Sequence, residues 1–269
     1  MYIQTICRIP HPGGDILQVS KHYPGNFGAP GVTRHERKKA TPEEIGKNNH
    51  RNRVRRLQRI ILANFPRGRT VHLTYRVEER PESFAEALDQ RTKFMAKVRR
   101  ACRKKGVPWK WIAVTERGKH GKAYHHHLII EDVTDPIDLL RLITELWPYG
   151  RVTSTAMEEE EDLFEELAEY LVKKETKGEV SGKSYSRSRN LIVPQERRET
   201  IHARRWRKEP KAPKGWYIVK GSVWNAFTPD GSPVQRYSMR QIVDNSTVEK
   251  NGLRRDKMPR GRDLRGLKS

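Results

Sequence analysis

Between Thr70 and Thr155 the period of the apolar residues changes repeatedly, and that order limits the fold more than any other feature. Thr70 to Arg76 (TVHLTYR) is β-branched, aromatic and alternating, the pattern of a half-buried strand. Ser83 to Lys105 carries Phe84, Leu88, Met95, Val98 and Cys102 broadly along one helix side, and Gly106 and Pro108 stop it. Trp109 to Thr115 and Tyr124 to Glu131 are two more strands, joined by the short basic turn ERGKHGKA. A helix over Pro136 to Trp147, a strand over Arg151 to Thr155 and a helix from Glu158 to about Lys174 complete the series. The two middle strands are close enough in sequence to pair antiparallel. The expectation is an α+β domain, a central antiparallel sheet with helices packed mainly on one face.

The flanks read differently. Residues 1–40 are rich in Pro and Gly, as in HYPGNFGAPG from His22 to Gly31, and predict an irregular N-terminal arm. From Thr41, TPEEIGKNNHRNRVRRLQRIILANF predicts a basic helix. Thr41 can cap it, Pro42 suits its first position, and Glu44 stands at capping-box spacing. Its arginines (Arg51, Arg53, Arg55, Arg56, Arg59) suit either phosphates or plain solvent. We place the main domain at 41–196 and a basic C-terminal extension at 197–249. A hairpin is expected within the extension around Trp216 to Met239, turning at Pro229-Asp230-Gly231. Residues 250–269 have no apolar period and predict a disordered basic tail.

Charge and cysteines narrow the function classes. The 269-residue chain has a formal charge of +22, and so basic a protein usually meets a polyanion. Its two cysteines, Cys7 and Cys102, allow neither a disulfide framework nor a Cys-rich zinc site, which fits a reducing cytoplasm. No apolar run approaches the ~20 residues of a membrane span, and no signal-peptide pattern opens the chain. A cytoplasmic protein with no membrane partner is expected.

The chemistry concentrates in two stretches. In ERGKHGKAYHHHLII, Glu116 to Ile130, strand alternation puts His125 and His127 on one face and His126 on the other, towards the helices. Two imidazoles at i and i+2 can hold one side of a divalent metal, with Glu116 on the neighbouring strand as an oxygen ligand. An exposed histidine cluster without function is the plainer alternative. His72 shares a face with Thr74, and spacing alone gives it only a minor claim to the metal. In AEYLVKKE, Tyr170 projects ~90° from the stripe of Leu163, Phe164, Leu167, Ala168 and Leu171. Lys173 and Lys174 lie one turn on. A tyrosine nucleophile needs lysine or metal help, because a phenol ordinarily loses its proton only near pH ~10. The five acids Glu158 to Asp162 read as charge favourable at a helix N-terminus.

Taken together these residues resemble replication initiators of the HUH superfamily, the replication-associated type found on plasmids, filamentous phages and mobile elements. Val71 to Tyr75 (VHLTY) resembles the first motif, Glu116 with His125-His126-His127 the metal motif, and Tyr170-Leu171-Val172-Lys173 the Y-x-x-K motif. Thr41 to Phe65 and Ser184 to Pro194 are also similar, so the resemblance covers about Thr41 to Pro194. His126 departs from it, because the family's middle position is usually apolar. The resemblance implies an HUH endonuclease fold and a nickase that starts rolling-circle replication. In it His125, His127 and Glu116 hold Mg2+ or Mn2+, Tyr170 attacks the scissile phosphate, and a 5′-phosphotyrosine and a free 3′-hydroxyl result. Lys173 or Lys174 would stabilise the charge, and Tyr185, a water or a second protomer would end the reaction. Single-stranded DNA at an origin would lie along Arg117, Lys119, Lys122, Arg187, Arg189 and Asn190, with Thr74 and Trp109 as further candidates. No P-loop motif is present, so a host or element helicase and polymerase act in trans. The oligomeric state is open. A transposase, a relaxase and a non-catalytic DNA-binding regulator are the competing readings.

Overall fold

The computed structural model describes residues 1–24, 30–31, 41–118, 123–158, 163–172, 185–228 and 231–243. The elements run β1 (Tyr2–Ile9), β2 (Ile16–His22), α1 (Pro42–Asn64), β3 (Gly68–Thr74), α2 (Phe84–Lys104), β4 (Trp111–Arg117), β5 (Tyr124–Glu131) and α3 (Leu139–Leu146). They continue with β6 (Val152–Ala156), α4 (Glu165–Val172), β7 (Ser186–Arg187), β8 (Glu196–Ile201), β9 (Trp216–Ile218), β10 (Trp224–Phe227) and β11 (Pro233–Gln241).

The central sheet is antiparallel with strand order β6-β3-β5-β4-β7. Its middle strand explains how the helices are distributed. Leu128, Ile129 and Ile130 are consecutive and all buried, which an alternating strand achieves only if both sheet faces are covered. Leu128 and Ile130 pack with residues of α2 and α3, such as Phe94, Val98 and Ile143. Ile129 packs with residues of α1 and α4, such as Leu57, Ile61 and Leu171. The expectation of helices mainly on one face is therefore corrected: two helices cover each face.

The N-terminal arm is also corrected. Residues 2–22 form the hairpin β1–β2, the centre of a second antiparallel sheet of order β10-β11-β2-β1-β8, with β9 also on β11. Cys7, Ile9 and Ile16 from this sheet meet Leu57, Ile60 and Ile61 of α1, in the same cluster as Ile112, Val114 and Ile129 of the central sheet. The second half of α1 is thus apolar on several sides because it lies between two sheets. Each fully buried Leu or Ile there is worth about 1.5–3 kcal/mol. At its start Thr41 accepts from the Glu44 backbone N–H (3.2 Å), and the Glu44 carboxylate accepts from that of Thr41 (2.9 Å).

In the extension, β10 and β11 pair across residues 228–232, with the Thr228 N–H donating to Ser232 O at 2.8 Å. Pro229 and Asp230 of the expected turn lie outside the described residues, as does the tail 250–269. The last predicted helix begins at Glu165 instead of Glu158. Leu163 and Phe164 have φ of 53° and 63°, a left-handed backbone that cannot belong to the helix. The acids in its first turn are Glu165 and Glu166, while 159–162 lie outside the described residues. Among the described residues no helix is long and apolar enough to cross a membrane.

Candidate metal and tyrosine site

Strand register builds the site. His127 of β5 stands opposite His72 of β3 and Val114 of β4, and His125 stands opposite Thr74 and Glu116. Cross-strand partners share a face, so His72, His125, His127 and Glu116 converge on the side of the sheet that meets α1 and α4. The His72 ring stacks on His127 with centroids 4.6 Å apart, and edge-on against His125 at 4.9 Å. One nitrogen from each of the three rings lies within 4.8 Å of the others, so this triad could hold a metal ion.

Glu116 is buried at the base of the cluster. Its Oε2 lies 3.2 Å from His125 Nε2 and 3.5 Å from His127 Nε2. Ligand atoms about 2.1 Å from one ion at 90–110° stand roughly 3.0–3.4 Å apart, so the spacing suits a shared cation. His127 Nε2 is buried and makes no hydrogen bond among the described residues, leaving its lone pair for such a ligand. Burial lowers the pKa of His125, and lowers that of His127 to about 4 with His125 adding to the effect. Both rings are neutral at pH 7, the form that binds metal.

His126 points into the opposite layer, as its parity predicts. It is fully buried, its Nδ1 is 2.8 Å from Thr115 Oγ1, and its Nε2 is 2.8 Å from the Tyr75 hydroxyl. Arg91 of α2 donates to Thr115 Oγ1 at 2.7 Å and to Ser186 Oγ at 3.0 Å. Burial, then the nearby Arg91, lowers the His126 pKa to about 3. A polar chain therefore runs from α2 across the back of β5, directly behind the histidine pair.

Tyr170 comes from α4, which packs through Ala168, Leu171 and Val172. It is 44% exposed, and its ring stands edge-on to His127 with centroids 5.7 Å apart. Leu163 and Phe164 lead into this helix from the core, and Gln58 of α1 donates to the Leu163 carbonyl at 3.0 Å. Lys173 and Lys174 lie outside the described residues.

The expected DNA contacts are dispersed. Thr74, opposite His125, directs its hydroxyl to Arg151 O at 3.1 Å. Arg117 ends β4 exposed, its guanidinium 5.7 Å from the Tyr124 ring centroid. Arg187 is opposite Ile112 on the site's face of the sheet, four residues along β4 from Glu116. Arg189 and Asn190 follow β7 and are exposed, while Lys119 and Lys122 lie outside the described residues. Trp109 is only 6% exposed and belongs to the core between the sheet and α2, so it is no stacking platform. Tyr185 packs against the cluster formed with α1 and α4. Sequence reasoning undervalued His72. The signal was its strand parity with Thr74, which becomes decisive once β3 is known to pair directly with β5.

Residues 69–179, somewhat less than half of the chain, match the family model of the replication-associated protein ORF2 type. This part of the chain belongs to the replication-associated Rep family. The matched segment of the Rep domain runs from β3 through α4 and includes the three histidines, Glu116 and Tyr170. The match supports the resemblance to rolling-circle replication initiators. No curated protein and no solved structure matches the chain.

Proposed function

We propose that the chain is a replication initiator that nicks and rejoins single-stranded DNA at an origin through a 5′-phosphotyrosine intermediate. The observation that carries this reading is the edge contact between Tyr170 and His127, which sets a nucleophile beside a metal-type cluster. A divalent ion, Mg2+ or Mn2+, held by His125, His127 and Glu116 with His72 added, would supply a Lewis acid for the scissile phosphate. The Tyr170 oxygen attacks phosphorus and gives up its proton. The bond from phosphorus to the 3′ oxygen breaks, that oxygen takes a proton, and the 5′ phosphate stays on the tyrosine. Lys173 or Lys174 stabilises the phenolate by the family's pattern. The freed 3′-hydroxyl primes synthesis, and its later attack on the phosphotyrosine rejoins the strand.

The test incubates the protein with labelled single-stranded oligonucleotides tiling the element that encodes it, with Mn2+ or with EDTA. The expected result is a protein–DNA adduct that survives boiling in SDS, requires Mn2+, and is lost in Tyr170→Phe. Tight binding without an adduct on any oligonucleotide would overturn the nickase reading and leave a DNA-binding regulator.

A further inference from the structure

The second sheet carries a cationic row that the nicking site does not use. Cross-strand register lines up Trp224 of β10, Arg236 of β11, Ser20 of β2, Thr5 of β1 and Arg198 of β8. Cross-strand partners share a face, so these five residues form one line across the sheet. Four inter-strand steps make that line about 19 Å long. His22 lies two residues beyond Ser20 on the same face.

The same face, further along, is where α1 packs: Gln18 donates to Gln58 at 3.1 Å, and Cys7, Ile9 and Ile16 are buried. Arg51 stands seven residues, about two turns, before Gln58 and so on the same helix side, overhanging the row. Burial and then Arg51 depress the Arg236 pKa, and burial followed by Arg198 and Arg236 depresses that of His22. The row itself contains no carboxylate. Glu196, two residues along β8 on the same face, is taken by Arg59 at 2.6 Å. Gathering like charges costs stability unless a polyanion answers them. Arg51, Arg198 and Trp224 are exposed, and the Arg236 guanidinium lies 5.2 Å from the centroid of the Trp224 ring.

We propose that this face is a second binding site, taking single-stranded DNA with phosphates on Arg51, Arg236 and Arg198 and a base stacked on Trp224. Trp224 selects the single strand, since an aromatic ring at a sheet edge can stack only on a base that has left its duplex. The site is separate from the histidine cluster and holds DNA whether or not the Rep domain cuts it.

Fluorescence anisotropy tests it with the full chain in EDTA, using labelled dT20 and a 20-base-pair duplex over a series of salt concentrations. Combined Arg51→Ala, Arg198→Ala and Arg236→Ala should lower the slope of log affinity against log salt for dT20 by about 2, at ~0.7 per phosphate lost. The three corresponding Lys substitutions should restore it. If the alanine variant loses its fold by circular dichroism, the exposed pair Arg51→Ala and Arg198→Ala carries the test, with a loss of about 1.4. Trp224→Ala should weaken dT20 binding about 5- to 150-fold and duplex binding less than about twofold. An unchanged slope in the charge variants overturns the proposal. So does wild-type dT20 binding by Trp224→Ala, or an equal loss on duplex. Because EDTA prevents the tyrosine reaction, this site and the nickase reading can fail independently.

Discussion

Deleting the His126 imidazole would leave the buried Tyr75 hydroxyl without its 2.8 Å partner and would break the chain from Arg91 through Thr115. Each stranded polar group costs about 1–3 kcal/mol, so His126→Ala should lose roughly 2–4 kcal/mol in urea unfolding. His72→Ala should behave in the opposite way. It removes a ring half-open to the site while leaving the helix-side core intact, so the urea midpoint should hardly move. Mn2+ affinity by calorimetric titration should fall by about tenfold or more, as for other groups that hold or orient a metal. Equal Mn2+ affinity in His72→Ala would remove His72 from the ligand set. The site was unevenly legible at this scale. Strand parity alone separated His126 from its neighbours, because it needs only the residues of one strand. His72 needed the pairing of two strands about 50 residues apart, which no local pattern encodes.

Among the elements, the close approach of the α3–β6 connection to the end of β3 is the most demanding. A Cβ on Gly150 would overlap the Thr74 carbonyl oxygen and come within 2.8 Å of Tyr75 Cα and 2.9 Å of Arg76 N. These are backbone atoms, held by hydrogen bonds from Thr74 N to Arg151 O and from Arg76 N to Tyr149 O. Gly150→Ala should therefore cost about 1–3 kcal/mol in urea unfolding. It should also weaken Mn2+ binding, because the displaced strand end lies opposite His125; unchanged stability would show that the connection simply moves aside. The elements that sequence patterns found are those with local signals: the Thr41–Glu44 box, the alternation in β3, and the strong amphipathicity of α2. The start of α4 was misjudged because Leu163 and Phe164 are apolar at helical spacing. Their side chains join the core as expected, but from a left-handed backbone that periodicity does not report.

At the scale of the whole molecule, α1 is held from two sides, and its far side depends on residues that looked like an irregular arm. Removing residues 1–24 would bare Leu57, Ile60 and Ile61 where they meet Cys7, Ile9 and Ile16. The truncated protein is expected to aggregate or unfold well below the temperature of the full chain, measured by thermal unfolding. An unshifted midpoint would mean that the central sheet with its four helices is sufficient alone. This sheet escaped sequence reasoning because its strands are short and Pro and Gly dominate the stretch after His22. Its pairing is also remote: His22 of β2 meets Val234 of β11, more than 200 residues away.

That separation has a consequence during synthesis. At ~5–20 residues per second, a ribosome needs about 10–40 s to deliver β11 after β2 has emerged. Throughout that interval the outer edge of β2 presents unpaired N–H and C=O groups, a template for joining the wrong chain. The yield of correctly folded protein is then governed by how quickly the ribosome finishes, more than by how stable the finished molecule is.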